Sequence, residues 1–274
     1  MEASLGQIVY SLIPGKGYTT ESRASSIDCH EEEFKGLTNS FTTPCHPRIF
    51  EEDGFEARMV TCTDKLVFLT RFLYCGNRFN IDEKHRGGLV WHIGVFPREL
   101  LAQGLRLQTV EKTMTSFLQI KLDKYEVPMG QLDKIPLLWE ETTGPDPDLE
   151  GMAECVPLDI VLRVERSFGE KYAKAFVRFG DGKTLDRNGW RKRIGLAFNF
   201  AKLLMNAGIT RPFSVLSEAL HQGSLLFYPN IVIISARDEY YTNDPSWTYA
   251  VIPKTIRADG SSTSLSKALR DAGY

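Results

Sequence analysis

Thr70–Pro97, TRFLYCGNRFNIDEKHRGGLVWHIGVFP, sets two apolar, aromatic and β-branched runs on either side of a polar, glycine-bearing segment. Lys65–Tyr74 and Leu89–Phe96 read as strands, and Phe55–Thr63 reads as a third before them, with turn residues at Thr63-Asp64 and Arg86-Gly87-Gly88. An antiparallel meander is the economical arrangement. The same stretch carries Arg71, Tyr74, Asn77, Arg78 and His92. Burying such groups costs about 1–3 kcal/mol each unless they are paired, so they form either a satisfied structural network or a binding site.

Strand and helix signals alternate outward from this core. Gln7–Leu12 is an opening strand, Pro14-Gly15-Lys16-Gly17 a turn and Tyr18–Ser22 a short return strand, which makes a hairpin with a basic tip. His30–Lys35 reads as a helix capped by Ser26 or Asp28 and stopped by Gly36. After the meander, Pro97 in the first helical position, Arg98–Gln103 and Gly104 describe a short helix closed by glycine. Glu140–Glu154, EETTGPDPDLEGMAE, has the acidic, proline-punctuated composition of a linker. It divides the chain into subdomains at 1–140 and 151–274.

In the second subdomain Leu158–Phe179 is ambiguous between helix and strand, whereas Trp190–Ala207 has apolar residues at helical spacing and ends on Gly208. Leu225–Ser235 and Trp247–Ile256 read as strands, and Ser264–Arg270 as a serine-capped helix. The fold class is therefore α+β, an antiparallel sheet with flanking helices.

Composition narrows the function classes. The chain of 274 residues is 42% hydrophobic and 25% charged, enough apolar content for a sizeable core, and its net charge of −2 supplies no positive field for a nucleic-acid backbone. The longest apolar stretch, around Leu225–Ala236, falls short of the roughly 20 residues a membrane span needs. The N-terminal segment has an acid at position 2 and no basic lead, unlike a secretory signal, so a cytoplasmic protein is expected. Cys29, Cys45, Cys62, Cys75 and Cys155 form no CxxC pair and are expected as reduced, mostly buried thiols. Cys29-His30 and Cys45-His46 offer soft ligands, but adjacent residues on a strand face opposite ways, and no metal or other cofactor is expected.

Chemical motifs are sparse. Gly15-Lys16-Gly17-Tyr18-Thr19-Thr20 joins glycine, lysine and threonine after an apolar strand but lacks the GxxxxGK[ST] spacing, and Gly180-Asp181-Gly182 lacks GxGxxG order and reads as a turn. Gln222-Gly223-Ser224-Leu225 is not a nucleophile elbow. His92 sits in an apolar alternation, as a hydrogen-bonded core histidine or a binding group. Arg191-Lys192-Arg193 opens the long helix and reads first as a solvated helix end; because cations are electrostatically disfavoured there, it mildly favours an anionic partner as the alternative.

The opening GQIVYSLIPGKGYTTESRASSID, the segment around Arg71, Tyr74 and Gly76-Asn77-Arg78, and the strand Leu89-Val90-Trp91-His92-Ile93-Gly94-Val95 together resemble the N-terminal domains of the bacterial GTPase-associated protein 1 family over about residues 6–105. The chain departs from the family in carrying Trp91-His92 where paired histidines are common, and in showing no match beyond residue 110. The resemblance implies a non-enzymatic or adaptor role beside a small GTPase in a prokaryotic signalling or conflict system. On this reading the chain is a protein-interaction or regulatory module, with Arg71, Asn77, Arg78 and His92 lining the site and Lys16 at its edge. Two alternatives stand beside it. One is a hydrolase or transferase for an anionic or nucleotide-like small molecule, with His92 as general base and Arg71 and Arg78 as anion clamps. The other is a structural protein in which these side chains are buried and fully paired.

Overall fold

The computed structural model describes residues 1–11, 23–27, 56–74, 89–117, 130–140, 175–179, 194–195, 197–198, 201–202, 205, 213–217, 231–235 and 248–251. The chain divides into two compact units, one of Met1–Arg58, Lys65–Glu141 and Leu220–Phe227, the other of Met59–Asp64, Thr142–Ala219 and Tyr228–Tyr274.

The first unit is built on β1 (Glu2–Ser11), β2 (Arg23–Ser25), β4 (Leu66–Tyr74) and β5 (Leu89–Pro97), with the short β6 (Gly130–Gln131) and β7 (Ile135–Leu138). The strand β3 (Glu56–Cys62) begins in this unit and passes into the second after Arg58. Strands β4 and β5 pair antiparallel along their whole length, from Leu66 opposite Pro97 to Tyr74 opposite Leu89, as the meander predicts. Strand β1 covers the other side of β5 with Gly6–Ser11, pairs with β2 through Ile8–Tyr10, and turns Glu2–Leu5 to β7. All of these pairings are antiparallel; β2 with β6 is parallel. Strand β1 thus starts five residues earlier than its apolar pattern suggests, because Glu2–Leu5 acquires its partner from residues 135–138. The expected return strand Tyr18–Ser22 and helix His30–Lys35 lie outside the described residues.

Side chains on both faces of β5 are buried, Val90, His92 and Phe96 on one and Trp91, Ile93 and Val95 on the other. One face stacks Trp91 between Tyr10 and Phe72, with ring centroids 5.4 and 6.5 Å away. The opposite face lies under α2 (Leu107–Phe117), which buries Leu107, Val110 and Met114 at helical spacing. Gly94 on β5 admits this helix: a Cβ there would meet Met114 Sδ at 2.5 Å and Leu5 Cδ1 at 3.3 Å. The short α1 (Glu99–Ala102) precedes it and ends at Gly104, whose φ of 87° is one glycine adopts freely. Pro97, expected as the first helical residue, is instead the last residue of β5; the helix cap is Arg98, whose N–H donates to the Lys65 carbonyl at 2.8 Å. A strand end tolerates proline for the same reason a helix start does, since no N–H is required there.

The second unit differs from the antiparallel expectation. Its strands are β8 (Ala175–Phe179), β9 (Phe213–Leu216), β10 (Ile231–Ser235) and β11 (Thr248–Val251), with the Met59–Cys62 part of β3 beside β9. Neighbours run in the order β11-β8-β10-β9-β3; only β3 with β9 is antiparallel, and β9 with β10, β10 with β8 and β8 with β11 are parallel. The spacing of the strands permits a parallel arrangement, since it leaves room for a crossover between β8 and β9. Within that crossover residues 194–195, 197–198, 201–202 and 205 are helical, in the stretch whose periodicity predicts a helix, and Ile194, Ala197, Phe198 and Ala201 are buried. Cys62 is buried and in no disulfide, its thiol donating to Met205 Sδ at 3.6 Å, and Thr61 and Ser214 share a buried hydroxyl hydrogen bond of 3.0 Å between β3 and β9. Cys29, Cys45, Cys75 and Cys155 lie outside the described residues, as does Ser264–Arg270. Among the described residues no helix is long and apolar enough to cross a membrane.

Candidate functional site

The sheet of the first unit brings two of the sequence-selected residues together. Arg71 on β4 is the direct cross-strand partner of His92 on β5, and Val9 on β1 is the partner on the other side. Residues directly opposite one another share a face, so Arg71 and His92 project on the same side, together with Gln7, two residues from Val9.

These side chains form a directed chain of hydrogen bonds. The Asp133 backbone carbonyl can only accept, so the Gln7 side-chain nitrogen must face it, which it does at 2.6 Å. Gln7 Oε1 is then the acceptor for His92 Nε2 at 3.1 Å, so Nε2 carries the proton. That leaves a lone pair on His92 Nδ1, directed at Arg71 Nη1 at 3.5 Å. The donors therefore run from Arg71 through His92 and Gln7 to the Asp133 carbonyl, and the imidazole is neutral with a single tautomer. Backbone bonds hold the Gln7 end, where Gln7 N–H donates to Ser26 Oγ at 2.7 Å and Ser26 N–H to the Gln7 carbonyl at 2.9 Å.

Electrostatics point the same way. His92 is 0% exposed and Arg71 5%. Burial, then the positive charges of Arg71 and Arg58, push the His92 pKa from its usual 6.5 down to about 3. Arg58 is itself 3% exposed and donates from Nε to Glu111 Oε1 of α2 at 2.5 Å, so one carboxylate on the covering helix answers a buried guanidinium on the sheet.

A general base serves best with a pKa near the working pH and a lone pair facing its substrate. The imidazole here has both ring nitrogens engaged, lies beneath solvent and is a weak base. Chemically, the arrangement ties β1, β4 and β5 together through a low-dielectric polar chain. Asn77, Arg78 and Lys16 lie outside the described residues. Gln7, Arg58 and Glu111 are the members that sequence reasoning missed. A lone glutamine inside the apolar run of β1 was the available signal for the first, while the Arg58–Glu111 pair spans 53 residues and left no local trace.

Comparison with known protein families, with curated proteins and with solved structures finds no match to this chain.

Proposed function

We propose that the chain is a protein-interaction or regulatory module whose partner is a small GTPase. In this reading Arg71 and His92 brace the sheet, and Asn77 and Arg78 meet the partner. The observation that carries it is the chain from Arg71 to the Asp133 carbonyl: both ring nitrogens of the buried His92 and both ends of the Gln7 amide are engaged in it, which suits a scaffold better than a reaction centre. The chain sits three residues from the Tyr74–Leu89 pair at which β4 and β5 end, roughly 10 Å along the strands. From that end departs the 75–88 segment, which holds Gly76-Asn77-Arg78 and the charged run Asp82-Glu83-Lys84. Connections of this length and polarity commonly carry function on a rigid support, and arginine suits recognition because its planar fork holds a carboxylate or phosphate bidentately. The identity of the partner as a GTPase rests on the resemblance over residues 6–105.

Affinity capture from lysate of the native host, with and without a non-hydrolysable GTP analogue, tests the reading. A small GTPase retained in a nucleotide-sensitive manner, and lost with Arg78→Ala at unchanged thermal stability, is the expected result. Retention unaffected by Arg78→Ala and Asn77→Ala together would remove these residues from the interface, and the absence of any GTPase among captured proteins would remove the partner.

A further inference from the structure

Among the described residues β7 pairs with β1 alone, which leaves its other edge open. Backbone bonds fix which groups lie on that edge. Met1 and Trp139 exchange two of them: the Met1 ammonium donates to the Trp139 carbonyl at 2.7 Å, and the Trp139 N–H donates to the Met1 carbonyl at 3.2 Å. Bonded and non-bonded residues alternate along an antiparallel pair, so Leu137 and Ile135 also bond to β1. Pro136 and Leu138 therefore turn their backbone groups to the open edge. Their side chains are exposed as well, Leu138 to 66%, whereas Ile135 and Leu137 are sealed on the inner face.

An open edge beside an exposed leucine is a template for another strand, and the charges around it select which strand. Lys134 and Glu140 are both exposed and stand three residues to either side of Leu137. Laying a second copy of β7 antiparallel along this edge, with a two-fold axis at Leu137, sets each Lys134 directly opposite a Glu140 of the other copy. The same register sets each Leu138 opposite a Pro136. Proline guards most edges because it has no N–H to give, but its carbonyl remains an acceptor, and here it faces the Leu138 N–H of the second copy. Other registers lose this match. Centring the pair on Pro136 opposes two prolines with no donor between them, and centring it on Leu138 sets Glu140 opposite Pro136 and parts it from Lys134.

We propose that the open edge of β7 binds a second copy of this chain, the two strands pairing antiparallel about Leu137. This does not rest on the partner proposed above. The paired segment is short, which places the association in the micromolar range. Sedimentation equilibrium of the purified full chain, from micromolar to millimolar concentration, tests it. A monomer–dimer equilibrium is expected. Lys134→Glu opposes like charges at two symmetric positions and should weaken association at least fivefold. Adding Glu140→Lys to that variant reverses both partners and should restore the wild-type affinity, which separates lost recognition from lost fold. A chain that stays monomeric at millimolar concentration, a dimer indifferent to Lys134→Glu, or one that the double reversal fails to restore would overturn the proposal.

Discussion

His92 should make the stability of the first unit depend on pH in a calculable way. In the unfolded chain its pKa is the ordinary 6.5, and in the fold it is held at about 3. Below pH 6.5 the unfolded state takes up a proton that the folded state refuses. The contribution of the buried neutral ring is thus fully present above 6.5 and is lost as pH falls toward 3. Each pH unit below 6.5 removes about 1.4 kcal/mol, so a fall from pH 7 to pH 5 removes about 2 kcal/mol. The comparison is with His92→Gln, whose amide can still donate to Gln7 Oε1 but does not titrate. His30, His46, His85 and His221 are common to both proteins and cancel in the difference. Urea unfolding of each protein at pH 7, 6 and 5, at fixed ionic strength, gives the quantity directly: the stability difference between wild type and His92→Gln should move by about 2 kcal/mol against the wild type across that range. Parallel pH profiles for the two proteins would mean that His92 titrates in the fold as it does in water, and the sealed, arginine-flanked ring would then be wrong.

Three further perturbations probe the same region. Gln7→Leu strips the acceptor from His92 Nε2–H and the donor from the Asp133 carbonyl, and should cost about 1–3 kcal/mol in urea unfolding. Glu111→Gln leaves the Arg58 guanidinium buried beside a neutral amide; a loss of about 2–3 kcal/mol is expected, and an unchanged melting temperature would show the pair to be dispensable. Gly94→Ala drives a methyl into Met114 and should cost about 1–3 kcal/mol, with Met114→Ala in the same chain giving a less than additive total if the contact is the cause.

Much of the first unit is legible in its residues because the relevant forces are local. In β4 and β5, aromatic, β-branched and leucine residues dominate nine positions and turn residues bound them, so the strands and their antiparallel pairing follow from short-range pattern. The helix over residues 107–117 is harder to read: Leu107, Val110 and Met114 recur at helical spacing, but LQTVEKTMTSF holds three threonines and a serine of weak helix propensity, and packing of Met114 over Gly94 supports it. The four-residue strand β9 is too short to show a period and exists through its two neighbours.

The candidate site divides along the same line. Sequence by itself picked out Arg71 and His92, because charged and titratable groups inside apolar runs demand partners wherever the chain goes, and it gave each unit its share of strands. Which partners they find was a tertiary decision: Gln7 and Asp133 stand 85 and 41 residues from His92 in the chain, the pairing of β1 with β5 brings up the Gln7 acceptor that fixes the tautomer, and burial beside Arg71 and Arg58 keeps the ring neutral. The parallel order of β9, β10, β8 and β11 was likewise beyond local reading, since direction and neighbour in a sheet are set by crossover connections and not by the residues of any one strand.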